Sequence, residues 1–412
     1  MASPHHKDYK ESPLYKAWKR LKKNKPAVIS LGLIIFAIFL AVFAPLIAPD
    51  GTPDANDQVL ELTNKNPNYS IQMLLVKKNQ EVEKSNIFQR IAHGTPNPYK
   101  LIPITDYQWD QAELVVQQYK GDYIPAVEER YSIPEIAYGL PSEKSDFKIV
   151  GNNMQFTDAK GVMISQNLDH IKKQIDEQNI IQKKYWLGTD NYGRDILSRL
   201  LFGVRVSISV GFIAVMISMT IGIFLGAVAG YFKGYVDNII MWLINVIWAV
   251  PTILLAMALT FALDGRVDRF WVIYLAVGLS MWVEVARIVR GQVMSVREME
   301  YIQAAKGLGY GHFRTIFKHI LPNIIGPIMV IAAADFASAI LIEAGLSLVG
   351  IGVRPPMPSW GVMLNEQHNY LFIPGKAFLA LAPGIAIMIL VLAFNLLGNG
   401  LRDAFDVKGK LS

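Results

Sequence analysis

Three carboxylates, Glu284, Asp335 and Glu343, interrupt stretches of the chain that are otherwise apolar. An ionised side chain in hydrocarbon costs roughly 2.5 to 3.5 kcal/mol on insertion scales, so each needs an interior position or a partner, and each could carry a proton. Glu284, another candidate for the translocation pathway or a subunit contact, has Arg287 one turn later, so a local ion pair and a transport role are equally open to it. Asp335 has no such neighbour and is the leading candidate for a translocation pathway or a subunit contact, whereas Glu343 falls where it could cap or gate an outer mouth. Other chemistry is thinly represented. No nucleophile, base and orienting group are grouped along the chain, and no Gly-x-x-x-x-Gly-Lys-Ser/Thr run could cradle nucleotide phosphates. Catalysis is therefore not expected, and any ATP must be bound by another chain. The histidines His5, His6, His93, His170, His312, His319 and His368 all lie outside the apolar runs, which argues against a pore for a bare transition metal. Zero cysteines exclude disulfides and thiolate metal sites.

The elements that must position these carboxylates are membrane spans. Of 412 residues, 52% are hydrophobic and 18% charged, a balance unlike that of an ordinary soluble globule. The uncharged runs 27–48, 206–232 and 238–263 each exceed the roughly 20 helical residues that cross a bilayer core. Weaker runs from Phe270 to Arg287, Ile324 to Gly350 and Ala377 to Leu401 bring the expected number of spans to six. An even number puts both termini on one side, together with the lysines before residue 26, Lys233, the bases between Arg290 and Lys318, and Arg402, Lys408 and Lys410. The positive-inside rule makes that side the cytoplasm. The net charge of +6 is thus a membrane-topology signal and not a nucleic-acid surface: residues 1–26 carry eight bases against two acids, while residues 50–200 carry 17 against 21. The first apolar run is longer than a secretory h-region, and it reads as an uncleaved first span.

The expectation is an all-α integral membrane protein with an insert: a cytoplasmic segment 1–26, a first span 27–49, a small α+β extracytoplasmic domain 50–186, and a core 187–412 with five further spans. Within the insert, Phe147–Val150 and Met154–Thr157 read as strands about a Gly151-Asn152-Asn153 turn, Asp158-Ala159-Lys160-Gly161 as another turn, and Asp169–Asn179 as a helix. The cluster Gly188, Thr189, Asp190, Gly193, Arg194 and Asp195 has turn chemistry, followed by a short amphipathic helix expected at the outer interface. Gly222, Gly226 and Gly230 repeat every four residues, a close-packing helix face. Pro251 and Pro383 are expected to kink their spans, and Trp242, Trp271 and Trp360 to anchor at interfaces.

Between the fourth and fifth runs, helices are expected within residues 291–322. Met299–Leu308 centres on Gln303, Ala304 and Ala305, and Gly309 is placed to end it in a left-handed cap. The adjacent alanines allow close approach of another protein surface. Phe313, Ile316, Phe317 and Ile320 then form one apolar face, and Leu321-Pro322-Asn323 opens the fifth span. Two short helices joined rigidly to two spans have the shape of a lever.

Gln303-Ala304-Ala305, Gly309 and Leu321-Pro322 resemble the cytoplasmic coupling signature of permease subunits in binding-protein-dependent ABC importers. The 188–195 cluster, Glu343-Ala344-Gly345-Leu346-Ser347 and Pro355-Pro356-Met357-Pro358-Ser359-Trp360-Gly361 are similar to the peptide and nickel branch, in the second of its two permeases. The resemblance implies peptide import across a bacterial inner membrane by alternating access, with a second homologous permease, two ATP-binding subunits carrying ATP and Mg, an extracytoplasmic peptide-binding protein, and surrounding lipid. It departs at Gln303, where the family has Glu, at His319, where it has Ile, and in the long insert, whose role the resemblance does not cover. Two other classes compete: a proton-coupled secondary transporter working through Glu284, Asp335 and Glu343, and a tethered module in which the insert does the binding. A nickel permease of the same family is the nearer alternative.

Overall fold

The structure, a computed structural model, describes residues 13–79, 86–140, 147–158, 162–267 and 269–406. His5, His6, Lys408, Lys410 and the Ala159-Lys160-Gly161 part of the expected turn lie outside the described residues. In chain order the elements are α1 (Pro13–Leu21), α2 (Lys25–Ile47), β1 (Tyr69–Lys77), α3 (Ile87–His93), β2 (Tyr99–Asp110), β3 (Glu113–Gln118), β4 (Val127–Ser132), α4 (Ile133–Tyr138), β5 (Phe147–Val150), β6 (Asn153–Thr157), β7 (Met163–Asn167), α5 (Leu168–Gln178) and β8 (Ile180–Tyr185). The long helices follow: α6 (Ile196–Phe232), α7 (Gly234–Trp248), α8 (Thr252–Leu263), α9 (Arg269–Arg297), the short α10 (Glu300–Gly307) and α11 (His312–Thr315), then α12 (Ile325–Leu348), α13 (Trp360–Gln367) and α14 (Phe378–Phe405). The protein is mostly helical with a small β region. Among the described residues, five helices are long and apolar enough to span a membrane, or six spans if the α7–α8 pair counts as one.

Contacts divide the chain into two units: one takes the chain up to Ala41, Gly203–Asn365 and the chain from Ala382, the other Val42–Phe202 and Glu366–Leu381. The first unit is helical. Its core gathers Val210, Ala214, Val277, Val285, Val289, Ile320, Ile324, Ala339 and Leu346, drawn from α6, α9, α12 and the turn before α12. The glycine repeat forms a seam between α6 and α9. A Cβ on Gly222 would lie 2.5 Å from Val285 Cβ, one on Gly226 2.4 Å from the Ala286 carbonyl oxygen, and one on Gly230 2.7 Å from that of Arg290. Side chains are excluded there because the two backbones nearly touch, which is how helices without a hydrophobic driving force gain packing contacts. Arg290 on α9 also grips Asp237 on α7 with two bonds, Nε to Oδ1 at 2.5 Å and the second guanidinium nitrogen to Oδ2 at 2.6 Å.

The third apolar run departs from expectation. Instead of one kinked span, α7 and α8 are separate helices of 15 and 12 residues, bent by 91° across Ala249-Val250-Pro251. Neither reaches the roughly 20 residues needed to cross alone. Proline lacks an N–H and disfavours helical geometry in the residue before it, so the chain turns there instead of bending smoothly. Pro383 lies within the uninterrupted α14. The tryptophans also divide: Trp242 and Trp271 are exposed, but Trp360 is buried against Gly203, where a Cβ would lie 2.7 Å from the indole. Trp360 is therefore a packing residue and not an interface anchor.

The second unit carries two antiparallel sheets, of five strands in the order β4-β3-β2-β1-β8 and three in the order β5-β6-β7. Strands β5 and β6 turn at Gly151, whose φ of +64° suits a residue without a Cβ, as the alternation in this stretch predicted. The expected helix at 169–179 is α5, capped by Asn167. Leu74, Ile102, Leu114, Ile136, Met154, Ile171 and Ile175 close one core between strands and helices. The first strand of this unit, β1, and its last, β8, pair directly, Tyr69 opposite Tyr185. The amphipathic helix expected after residue 195 is not separate: residues 196–201 are the opening turns of the 37-residue α6, with Ile196, Ser198 and Arg199 buried.

Candidate functional site

The 188–195 cluster folds into a buried knot. Gly188 and Gly193 have φ of +78° and +71°, and a Cβ would lie 2.2 Å from the Lys65 carbonyl oxygen at the first and 1.7 Å from that of Val59 at the second. Only glycine lets the chain pass that close. Thr189 donates its hydroxyl to the Leu62 carbonyl and accepts the Lys65 N–H at 2.8 Å. Asp190 Oδ1 accepts the backbone N–H groups of Tyr192 and Arg194 at 2.9 and 3.0 Å, and its Oδ2 takes Arg194 Nε and Arg199 Nη1, both at 2.7 Å. Both guanidinium groups reach Glu366 Oε2, at 2.8 and 2.9 Å. Two acids and two arginines are thus matched inside the fold, each arginine bridging both carboxylates. Asp195 sits beside this network and caps α6, accepting the Ser198 N–H at 2.8 Å; burial pushes its carboxyl above the usual range, against the pull of the Ser198 bonds. The motif read as an external interfacial patch is therefore a tie between residues 59–66, the start of α6 and Glu366. Arg199 and Glu366 were not among the expected site residues.

The second candidate region is the segment 299–323. Helix α10 ends at Gly307 with Leu308 as its C-cap, and Gly309 follows at φ +77°. The Gly309 N–H donates to the Lys306 carbonyl and the Tyr310 N–H to the Ala305 carbonyl, the paired bonds of a Schellman cap. The left-handed cap expected at Gly309 is present. Ile302 and Ala305 face inward, while Gln303 and Ala304 are exposed. The two alanines therefore do not share one docking face: Ala305 seats the helix, and Ala304 beside Gln303 is the surface that another protein could approach. The apolar face expected on the second helix is likewise split. Ile316 and Ile320 join the core, but Phe313 and Phe317 are exposed and lean on each other at 4.3 Å between centroids. The reason is local: α11 is a single turn, followed by a π turn over Ile316–Ile320 and a 3-10 turn over Leu321–Ile324 that contains Pro322. Widening the helix by one residue rotates its faces away from the 3.6-residue pattern.

The carboxylates separate in the same way. Glu284 and Asp335 line one cavity of about 380 Å³, walled also by Trp248, Thr252, Ser280 and Ser338. Asp335 is buried and accepts Ser218 Oγ at 3.3 Å, so it has a partner that the sequence did not suggest. The local pair expected between Glu284 and Arg287 does not form. Arg287 instead donates to Asn245 at 3.2 Å and lies 3.4 Å over the Trp248 ring. Glu343 is fully buried, and Ser347 Oγ donates to its Oε1 at 2.8 Å while accepting the Val353 N–H at 3.2 Å. That pairing, with Gly361 packed against Ala344 and Ser347, fastens α12 to the loop before α13.

Long apolar helices locked by a glycine seam, with a capped helix seated at their edge, define a multi-span membrane protein. A family model described as "Binding-protein-dependent transport system inner membrane component" matches residues 222–408, and one described as "N-terminal TM domain of oligopeptide transport permease C" matches residues 12–67. A glutathione transport system permease protein of Pectobacterium atrosepticum is 41% identical over 226 residues, covering 55% of this chain and 73% of that one. A dipeptide transport system permease protein of Alkalihalophilus pseudofirmus is 41% identical over 227 residues, with coverage of 55% and 73%. An oligopeptide transport system permease protein of Bacillus subtilis is 38% identical over 227 residues, with coverage of 55% and 72%. The chain belongs to the binding-protein-dependent transport system inner membrane components, a family of multi-pass ABC transporter permeases.

Proposed function

We propose that this chain is one of two homologous permease halves of an ATP-driven importer of di- or oligopeptides, with both termini in the cytoplasm and residues 50–186 outside it. Its relatives' printed substrates, dipeptide, oligopeptide and glutathione, support peptide as the cargo. An external binding protein delivers the peptide, and two ATP-binding subunits carry the ATP and Mg. Closure of those subunits moves α10, and α9 and α12 pass the movement to a central path that opens alternately to each side.

The observation that carries this reading is the outward pair Gln303 and Ala304 on a helix whose opposite face, Ile302 and Ala305, is seated in the protein and whose end is locked by Gly309. A surface so held transmits force instead of yielding to it. Leu308, Phe313 and Phe317 extend it with exposed apolar area suited to a protein partner, and Leu321 and Pro322 join it to α12. The substitution Ala304→Arg puts a bulky charge on that face while leaving the seated face intact. In the complete transporter it is expected to abolish peptide uptake while membrane insertion and ATP hydrolysis persist. Uptake at the unsubstituted rate would remove α10 from the coupling role.

A further inference from the structure

The cavity holding Glu284 and Asp335 lies entirely within the helical unit, where α7 breaks from α8 and both face α9 and α12. Its wall combines two carboxylates, the hydroxyl residues Thr252, Ser280 and Ser338, and the indole of Trp248. Among the described residues that line it there is no Lys, Arg or His. Arg287, the nearest arginine along α9 from Glu284, is committed to Asn245 and to the ring of Trp248. Asp335 is 4% exposed and its bonded partner is the neutral Ser218, so the site carries acidic groups without a counter-charge from the wall.

Asp335, a carboxylate buried in an apolar bundle without a cation, with the exposed Glu284 at the rim of the same cavity, marks a place where a cation arrives. The volume is that of a small-ligand pocket, and the hydroxyls of Thr252, Ser280 and Ser338 are acceptors that suit the remaining hydrogens of an ammonium. The break at Ala249-Val250-Pro251 puts non-helical backbone at the wall, which membrane bundles tolerate where it borders a cavity or other protein. Resting on the peptide-import reading, we infer that Glu284 and Asp335 form a transient site for the free α-ammonium group of the peptide as it passes through this chain. The pair recognises a feature common to unblocked peptides whatever their side chains, and it replaces, inside the membrane, the hydration that the ammonium loses.

The test uses the complete transporter reconstituted in vesicles with its binding protein, and trialanine as the probe, whose only cation is the α-ammonium. Neutralising either carboxylate, as Glu284→Gln or Asp335→Asn, is expected to raise the ATP hydrolysed per peptide imported by about tenfold, the loss of one charge-assisted hydrogen bond. The charge-conserving Asp335→Glu is expected to restore most of the coupling ratio. An unchanged ratio in both neutral variants overturns the site. Loss of the second permease from the purified complex overturns it differently, by showing that the carboxylates pair with a cation of that subunit. If the unsubstituted transporter hydrolyses ATP and imports no trialanine, the peptide reading fails and the ammonium site with it.

Discussion

Two places in this molecule take an aspartate out of water, Asp190 at one and Asp335 at the other, and they solve the problem in opposite ways. At the start of α6, Asp190 and Glu366 are matched by Arg194 and Arg199, every bond between 2.7 and 2.9 Å, with backbone N–H groups filling the remaining acceptor positions of Asp190. In the cavity between the helices, Glu284 and Asp335 share a wall with hydroxyls and an indole and no cation. A charge neutralised within its own chain holds a fold together, and a charge left open waits for something from outside. The difference lies in geometry and not in residue type, which is why the four acids look alike in the sequence.

The contrast can be broken most severely at the knot. Asp190→Ala leaves two buried guanidinium groups with half their partners, and removing one member of a buried ion network costs about 3 to 5 kcal/mol. The expected outcome is a chain that inserts poorly or loses most of its thermal midpoint in detergent; a midpoint near that of the unsubstituted chain would mean the network is dispensable. The same chemical change in the cavity should have the opposite sign. Asp335→Asn removes a buried charge that has no counter-charge, and the midpoint is expected to hold or rise by about 2 to 4 °C, the effect of roughly 1 kcal/mol in a domain of 150–250 residues. A large fall would show that Asp335 is paired after all.

The smallest effect belongs to Asp195, which lies beside the knot without joining its arginines. Burial raises its carboxyl above the usual value, so the folded chain holds that proton more tightly than the unfolded chain. Its contribution is fully present below the ordinary carboxyl range near 3.8 and is lost as pH rises through the elevated folded value. Asp195→Asn, whose amide oxygen can still accept the Ser198 N–H, is expected to match or slightly exceed the unsubstituted midpoint at pH 7. That advantage should shrink as pH is lowered toward 4, and midpoint scans across pH will show it. A drop at pH 7 would assign Asp195 to the knot.

What could be read from the sequence was whatever depends on neighbours along the chain. The glycine seam at 222, 226 and 230, the cap at Gly309, the turn at Gly151 and a disturbance at Pro251 are local signals, and each is found where its residue type requires it. Long-range partners carried no such signal. Glu366 lies 172 residues from Arg194, and nothing in either segment points to the other. Ala304 and Ala305 are equivalent in sequence and separate only when the seated face of α10 is known. A helical period also cannot anticipate a π turn, so Phe313 and Phe317 were grouped with Ile316 and Ile320.

The pairing of β1 with β8 closes a long stretch of chain on itself. Tyr69 stands opposite Tyr185, and just outside them the Asn68 N–H donates to the Trp186 carbonyl at 3.1 Å. More than a hundred residues therefore leave and return through a doorway about 5 Å wide, the ordinary separation of paired strands. The family match to the N-terminal region stops at residue 67, just before that doorway. The two ends of the segment already touch, so residues 69–185 close on themselves, while Val59 and Leu62 beside the knot share a core with Ile71, Met73 and Tyr185 and Lys65 bonds Asp122: the doorway is also a hinge plate on which the knot is mounted.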